Sequence, residues 1–488
     1  MPQSISTPIP PPESADVTFR PLCVDLDGTL VKWDTLIDLL LGMLRNRPAL
    51  LLKLPGRLLR GKAAFKEFVT ESVSLDAAHL PYNRKLLLFL QNQHQQGRAI
   101  YLTTGANLAL ARRVAAHLGI FRGVLGSDGA INLTGVRKLD GMRNRLGPGE
   151  FDYIGNASPD LPLLAHATEP MVANPSLVLR VRMRARGIRP VRQFLDRGRS
   201  VKSVLRAMRL HQWAKNLLIF LPLLLSHTFA IHRLLTALLA FGCFSLTASA
   251  TYIVNDLLDI ESDRHHPKKR LRPFASGDLS AVTGAGLAVA FLLLALCGAR
   301  LLPMGFLGWL LLYLGTTLAY SMYLKRIALL DVLVLSGLYT LRLLAGGAAT
   351  STPISHWLAG FSAFLFFSLA IAKRFAELEN LRAGGSVPRN GRGYLLADID
   401  QLRSFGTSSA FAAVVIFAIY ISGLDVTKLY RNPQLLWLIV PLMILWLCRV
   451  WLLASRGELD EDPVVFALTD PMSLLIGAAV AVIALLAI

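Results

Sequence analysis

The chain has 488 residues, with 51 Lys and Arg against 32 Asp and Glu, for a net charge of +19. With 53% hydrophobic residues, 17% charged residues and a mean hydropathy of +0.48, it is too apolar for a soluble enzyme and too patterned for a disordered chain. Its four cysteines, two of them (Cys243 and Cys297) inside long apolar runs, argue against a disulfide framework and a thiolate zinc site.

Residues 1–16 are rich in Pro and Ser and are expected to be disordered. They lack the basic start and apolar core of a secretory signal, so the N-terminal half is expected in the cytosol. The segment 22–30 (LCVDLDGTL) reads as a buried strand ending in two carboxylates, Asp25 and Asp27, followed by a Gly that lets the backbone turn. At the carboxyl end of a parallel strand, where ligands sit, one carboxylate can attack phosphorus while its neighbour handles the leaving-group proton. Further along come a strand (99–102, AIYL) leading to Thr103-Thr104-Gly105, then Lys138, then Tyr153-Ile154-Gly155-Asn156 with Asp160.

These motifs, in this order, resemble the haloacid dehalogenase (HAD) phosphatase superfamily over roughly residues 17–176. The resemblance implies an α/β Rossmannoid fold with a helical cap at about 31–95. Asp25 would be the nucleophile, Asp27 the general acid and base, Thr104 and Lys138 phosphate binders, and Asp25, Asp27 and Asp160 the support of a Mg2+ ion. Asn156 departs from the Asp often found at its position. The cap stretch from Leu39 to Lys66 has no acid and seven Lys or Arg, in short Leu-rich runs broken by Pro48 and Pro55. Such helices suit the headgroup region of a membrane; a basic cap packed on the protein itself is the alternative.

Residues 177–208 read as a basic juxtamembrane linker. From Arg180 to Arg209 there are eleven Lys or Arg and one acid, Asp196. Each such charge is worth about 1 kcal/mol near an anionic leaflet. Basic segments beside spanning helices explain the charge without nucleic acid.

From residue 209 to 488 the pattern changes to about nine apolar runs near membrane-spanning length: 216–231, 233–254, 280–299, 302–321, 327–347, 355–373, 405–423, 435–455 and 470–488. Basic residues gather in the returns at 255–279, 322–326 and 374–404, among them Arg264, Lys269, Arg326, Arg382, Arg389 and Arg392. This bias places those loops and the N-terminal half in the cytosol, with the chain in the cytoplasmic membrane among its lipids. Arg342, deep in the fifth run, must find an acid or a carbonyl inside the bundle. Trp213 reads as an interface anchor.

At the end of the second run, Asn255, Asp256, Asp259 and Asp263 have the spacing of one helix face. Carboxylates that close repel unless a hard cation such as Mg2+, bridging a diphosphate, lies between them. The basic stretch with Lys268, Arg270 and Arg272 follows at once and suits phosphate oxygens. This motif resembles the UbiA superfamily of intramembrane transferases over about 200–488, which implies an all-helical membrane bundle open to the cytosol and, sideways, to lipid.

Members that prenylate aromatic acceptors carry a second Asp-x-x-x-Asp cluster after the sixth helix. Here that place holds Lys373, Arg374 and Glu377, with Tyr320 and Lys325 at the end of the fourth run. The swap resembles the polyprenyl-phosphate phosphoribosyltransferase branch. It implies phosphoribosyl diphosphate and polyprenyl phosphate as substrates, with Lys325, Lys373 and Arg374 on the acceptor phosphate, Tyr320 nearby and Glu377 positioning the cations. Fusion to a phosphatase suggests that the 5-phosphate is then removed, leaving a lipid-linked ribose for cell-envelope glycans. Ordinary prenyl transfer beside a separate phosphatase activity is the alternative. Polyprenyl length, channelling between the sites and a homo-oligomeric state stay open.

Overall fold

The computed structural model describes residues 19–128, 131–147, 149–198, 200–227, 230–383, 393–427, 429–459 and 463–488. The expected disordered start and two of the expected loop cations, Arg389 and Arg392, lie outside the described residues. The chain divides into two units: residues 1–200 with 258–280, and residues 201–257 with 281–488.

The first unit is built on a six-stranded sheet: β1 (Leu22–Val24), β2 (Ile100–Asn107), β3 (Gly123–Ser127), β4 (Asp152–Gly155), β5 (Pro170–Ala173) and β6 (Arg192–Phe194). All pairings are parallel and the order is β3-β2-β1-β4-β5-β6. Chain order reverses between β1 and β4, which opens a crevice at the carboxyl end of β1. Helices follow from local signals. Asn107 caps Leu108–Leu118 by accepting from the Ala109 amide, and Gly119, in the left-handed region, ends it. Cys23, Leu125, Leu139, Phe151, Tyr153, Leu163, Val172 and Leu179 share one apolar core.

After β1 come the helices Thr35–Asn46, Leu54–Leu59 and Lys62–Ser72, packed around Leu39, Met43, Val69 and Leu110. Leu52 and Leu59 point away from this packing, 86% and 89% exposed. The next helix, Arg84–Gln95, was expected in the cap but belongs with the sheet. It buries Leu86 and Leu90, and Asn83 just before it donates to the Phe194 carbonyl of β6 at 3.2 Å.

Residues 177–208 are likewise no bare linker. They form the helix Leu177–Ala185, strand β6 and the helix Ser200–Met208. Leu179 and Met183, four residues apart, bury one face of the first helix, an apolar period hidden among its arginines. Residues 258–280 also belong to this unit rather than to the bundle. Here Arg264 donates to both oxygens of the buried Asp38, at 2.6 and 3.2 Å, an ion pair that fastens this stretch to the helix Thr35–Asn46.

The second unit is helical. Among the described residues, seven helices are long and apolar enough to cross a membrane: Ile231–Leu258, Ala281–Ala299, Met304–Met322, Leu330–Thr350, His356–Ala383, Leu396–Ser422 and Pro433–Ser455. The first and last of the nine expected runs fall short. The first becomes a tight helical stretch, Leu210–Phe220, and a five-residue helix, Leu221–Leu225, while the last gives 17 residues, Pro471–Ala487. The stretch 210–220 lies so close to the helix Leu330–Thr350 that a Cβ on Gly346 would stand 2.2 Å from the Ile219 carbonyl oxygen. Four residues earlier on that helix, Arg342 donates to Asn216 Oδ1 (2.8 Å), the Leu338 carbonyl (2.5 Å) and the Tyr313 hydroxyl (3.1 Å). Its partners are thus a carbonyl and neutral side chains. Phe244, Phe306 and Tyr313 pack ring to ring in the same cluster.

Candidate functional sites

In the α/β unit, Asp25 and Asp27 follow β1 directly, and Gly28, with φ +73°, turns the chain away from them. A side chain on Gly28 would collide with Asn156, whose Nδ2 lies 2.0 Å from where a Cβ would be. Lys138, 3% exposed, donates to Asp25 Oδ1 at 2.7 Å and to Asp160 Oδ1 at 3.3 Å. Tyr153 donates to the same Asp160 oxygen at 2.8 Å, and the Asn156 and Ala157 amides donate to the other at 3.1 Å each. With both oxygens so engaged, Asp160 is suited to orienting Lys138.

Asp27 Oδ1 accepts from the Thr35 amide (2.9 Å) and hydroxyl (2.7 Å). Burial pushes Asp27 up to about 7, with the Asp34 charge adding to it and the Thr35 donors opposing. Burial also raises Asp25, to about 6, against the pull of the Lys138 ammonium. Thr104 is buried within β2, its hydroxyl accepting from the Ala106 amide at 3.0 Å.

A nucleophile-type carboxylate beside a lysine, with a neighbour that keeps its proton near neutrality, can perform phosphoryl transfer. The all-oxygen donor set of Asp25, buried, and Asp27, half-buried and two residues on, fits a hard divalent cation. Two residues here escaped sequence reasoning: Thr35, and Lys66 of the cap. The Lys66 ammonium donates to the Gly105 carbonyl (2.5 Å) and to Asn132 Oδ1 (2.9 Å), and burial lowers its pKa. The signal for Thr35 was its place beside Asp34, which caps the helix that follows.

The acidic motif of the second region does not lie on one unbroken helix. The helix Ile231–Leu258 ends before Asp259, whose φ of −94° and ψ of 5° leave the helical pattern, and a new helix runs Ile260–His265. In the helical unit, Asp256 is 2% exposed and accepts from Arg209 at 2.5 Å, while Lys325 lies 3.4 Å from Asn255 Oδ1. Trp213 donates to Ser249 at 3.0 Å. In the α/β unit, Asp259 pairs with Arg45 at 3.0 Å, and Asp263 accepts from Arg272 at 2.7 Å. Burial raises the Asp263 pKa and Arg272 opposes it. Lys268 and Arg270 are exposed.

Further along the bundle, Tyr320, Arg374 and Glu377 do meet, around an acid that sequence reasoning missed. Arg374 donates to Asp331 (2.5 and 3.2 Å) and to both Glu377 oxygens (2.8 Å each), and Tyr320 donates to Asp331 at 2.6 Å. Arg374 thus shares its charge with two carboxylates, and Lys373 beside it is half-buried. An acid in the first turn of an apolar helix was the available signal for Asp331. In the same unit, an apolar cavity of about 570 Å3 is lined by Trp309, Leu312, Leu333, Leu341, Phe364 and Phe367, among others.

The fold and these sites define a two-unit membrane protein, an α/β unit with paired catalytic-type carboxylates and a helical bundle whose first long helix ends in an acidic motif. The model of the UbiA prenyltransferase family matches residues 217–477, and the chain belongs to that family. An uncharacterized protein, y4nM, of Sinorhizobium fredii is 38% identical over 464 residues, 94% of this chain and 90% of its own. A decaprenyl-phosphate phosphoribosyltransferase of Mycobacterium tuberculosis is 34% identical over 226 residues, 45% of this chain and 74% of its own. Two solved structures are alike at low scores. A UbiA homolog from Archaeoglobus fulgidus bound to DMAPP and Mg2+ covers 58% of this chain and 98% of its own (17% identity, TM-score 0.45). A HAD family hydrolase from Salmonella enterica covers 33% of this chain and 64% of its own (18% identity, TM-score 0.26).

Proposed function

We propose that the chain is a bifunctional enzyme of the cytoplasmic membrane that builds a lipid-linked ribose, with both sites on the cytosolic side. Its helical unit transfers 5-phosphoribose from phosphoribosyl diphosphate to a polyprenyl phosphate. A phosphate oxygen of the lipid attacks the anomeric carbon, the bond from that carbon to the diphosphate breaks, and diphosphate leaves with the electron pair. The observation that carries this reading is the 34% identity to a decaprenyl-phosphate phosphoribosyltransferase across 74% of that enzyme's length.

In this reading Asn255, Asp256, Asp259 and Asp263 hold the diphosphate through Mg2+, which neutralises the departing charge when bound. Lys268, Arg270 and Arg272 grip its oxygens or the 5-phosphate, and Lys325 and Lys373 receive the acceptor phosphate. Arg374, tied to Asp331 and Glu377, braces that side of the site together with Tyr320. The apolar cavity suits a prenyl chain.

The α/β unit then removes the 5-phosphate. Asp25 attacks phosphorus, and Asp27, held protonated near neutrality by burial, gives its proton to the leaving ribose oxygen. Asp27 next takes a proton from water, which attacks the aspartyl-phosphate and frees inorganic phosphate and Asp25. Lys138 balances charge on the phosphoryl oxygens and Thr104 binds one of them.

The test is an assay of membranes with polyprenyl phosphate, Mg2+ and phosphoribosyl diphosphate, the lipids resolved by mass. Wild type is expected to yield lipid-phosphoryl-ribose. Asp25→Asn is expected to stop at the 5-phosphorylated lipid, and Asp259→Asn to make neither. Consumption of a prenyl diphosphate with an aromatic acceptor, and no ribosylated lipid, would establish the prenyltransferase reading that the family description favours.

A further inference from the structure

A third cluster, made of residues given no role in either site, joins the turn before Arg84 to the helix Ile260–His265 within the α/β unit. Asp76, His79 and His265 bring their donor atoms within 4.8 Å of one another. Asp76 Oδ2 lies 2.8 Å from His79 Nδ1 and 3.1 Å from His265 Nε2, and the two imidazoles stack with centroids 4.1 Å apart. The other oxygen, Oδ1, is taken by the Ala78 amide at 2.9 Å, which fixes the carboxylate's orientation.

The tautomer of His265 makes this arrangement more than a surface contact. Its Nδ1 lies 2.7 Å from the Glu261 carbonyl, an acceptor only, so the ring hydrogen is on Nδ1. Neutral His265 therefore turns the Nε2 lone pair toward a carboxylate oxygen that also carries only lone pairs. A cation between them resolves that conflict: either a proton or a metal ion. The backbone carbonyl behind Nδ1 is the outer partner that metal-binding histidines commonly have. Separations of 2.8 and 3.1 Å are close to the roughly 3.0 Å between adjacent donors of a six-coordinate ion with bonds of about 2.1 Å. Two imidazoles and one carboxylate suit a borderline transition-metal ion such as Zn2+ better than Mg2+.

We propose that Asp76, His79 and His265 form a Zn2+-class metal site that clips the segment carrying Asp259 and Asp263 to the cap side of the α/β unit. The side chains are 43–45% exposed, so solvent fills the remaining coordination positions and the ion exchanges with the medium. Asp38 with Arg264, and Arg45 with Asp259, already tie the same segment to the helix Thr35–Asn46. The ion adds a third tie, one that depends on metal supply. The inference does not rest on the proposed reaction.

The test uses the full-length protein in detergent, without a polyhistidine tag and with millimolar Mg2+ throughout to occupy the carboxylate sites. Zn2+ alone is titrated by calorimetry, and bound metal is counted by elemental analysis. One Zn2+ per chain is expected, with affinity falling at least roughly tenfold in His79→Ala and in His265→Ala. His166→Ala, a histidine outside the cluster, is expected to leave it unchanged. Zn2+ should also raise the unfolding midpoint of wild type and not of the two variants. Should either variant unfold earlier without metal, His265→Gln, which keeps a hydrogen-bonding side chain, takes its place. Absence of saturable binding, or binding that both variants retain, overturns the site and leaves a proton between His265 and Asp76.

Discussion

Lys138 in the α/β unit and Arg374 in the bundle are both buried cations held by two carboxylates, and the comparison separates a working cluster from a bracing one. Lys138 touches Asp25 and Asp160, while Asp27, two residues from Asp25, takes the Thr35 amide and hydroxyl on one and the same oxygen. Burial keeps both Asp25 and Asp27 raised, at about 6 and about 7. Arg374 instead spends its guanidinium on Asp331 and both oxygens of Glu377, with Tyr320 closing the ring. A compact ammonium leaves its carboxylate neighbours room to react; a planar guanidinium matched by two carboxylates fixes three elements in place.

The first way to break this comparison is to remove the reactive member of the first cluster. Asp25→Asn is expected to lower release of phosphate from the 5-phosphorylated lipid by about a thousandfold or more, as losing a nucleophile does, while ribosyl transfer continues. Loss of both activities in that variant, with the protein still folded by circular dichroism, would break the separation of the two sites.

The second way is to unpair the bracing cluster. Asp331→Asn leaves the Arg374 charge with one carboxylate fewer at a buried site, and removing one partner of such a pair costs about 3–5 kcal/mol. A fall in the detergent unfolding midpoint is expected, with partial recovery in the double variant Asp331→Leu with Arg374→Met, which removes both charges. If Asp331→Asn keeps wild-type stability and loses only affinity for the acceptor lipid, Arg374 is a binding residue after all.

What the sequence made legible follows from the range of the contacts. The strand-loop at 22–30 is local, and its two carboxylates stand where spacing put them, at the end of a strand in a parallel sheet as expected, beside a reversal of strand order that the sequence did not announce. Lys138 is 113 positions from Asp25 and was placed only through the order of motifs. Asp331, 43 positions from Arg374, belonged to no motif and was passed over as part of an apolar run. Thr35 and Lys66 were missed for the same reason, since their partners come from tertiary folding. The break at Asp259 was also unreadable, because the spacing of 256, 259 and 263 is compatible with a helix that the backbone does not continue. The arginine-rich 177–208 misled in the other direction: charge count concealed Leu179, Met183 and Phe194, which are buried and make it part of the fold.

A smaller effect tests the support around Asp27. Thr35→Val removes the 2.7 Å hydroxyl donor and keeps the amide donor at 2.9 Å, so Asp27 loses one of two bonds that favour its ionised form. A hydrogen bond to a charged group is worth about 1.5–3 kcal/mol. The phosphatase rate is therefore expected to fall roughly tenfold, with ribosyl transfer unchanged; an unchanged phosphatase rate would assign Thr35 to the helix cap alone.

The smallest expected effect concerns the cap. Leu52 and Leu59 project 86% and 89% exposed from short helices that also carry Lys53, Arg57 and Arg60, and burying one such leucine in a headgroup region is worth about 1.5–3 kcal/mol. Such a surface on a protein already anchored in a bilayer is expected to touch it. A fluorophore on Leu59→Cys, with the native cysteines replaced, is therefore expected to be quenched by brominated lipid in nanodiscs and less so when Arg57 and Arg60 are both changed to Gln, because the basic side chains hold the cap to anionic headgroups. A fluorophore equally accessible to aqueous iodide and indifferent to brominated lipid would instead make the exposed leucines a surface for protein, and the positive charge of the cap a matter of substrate phosphate alone.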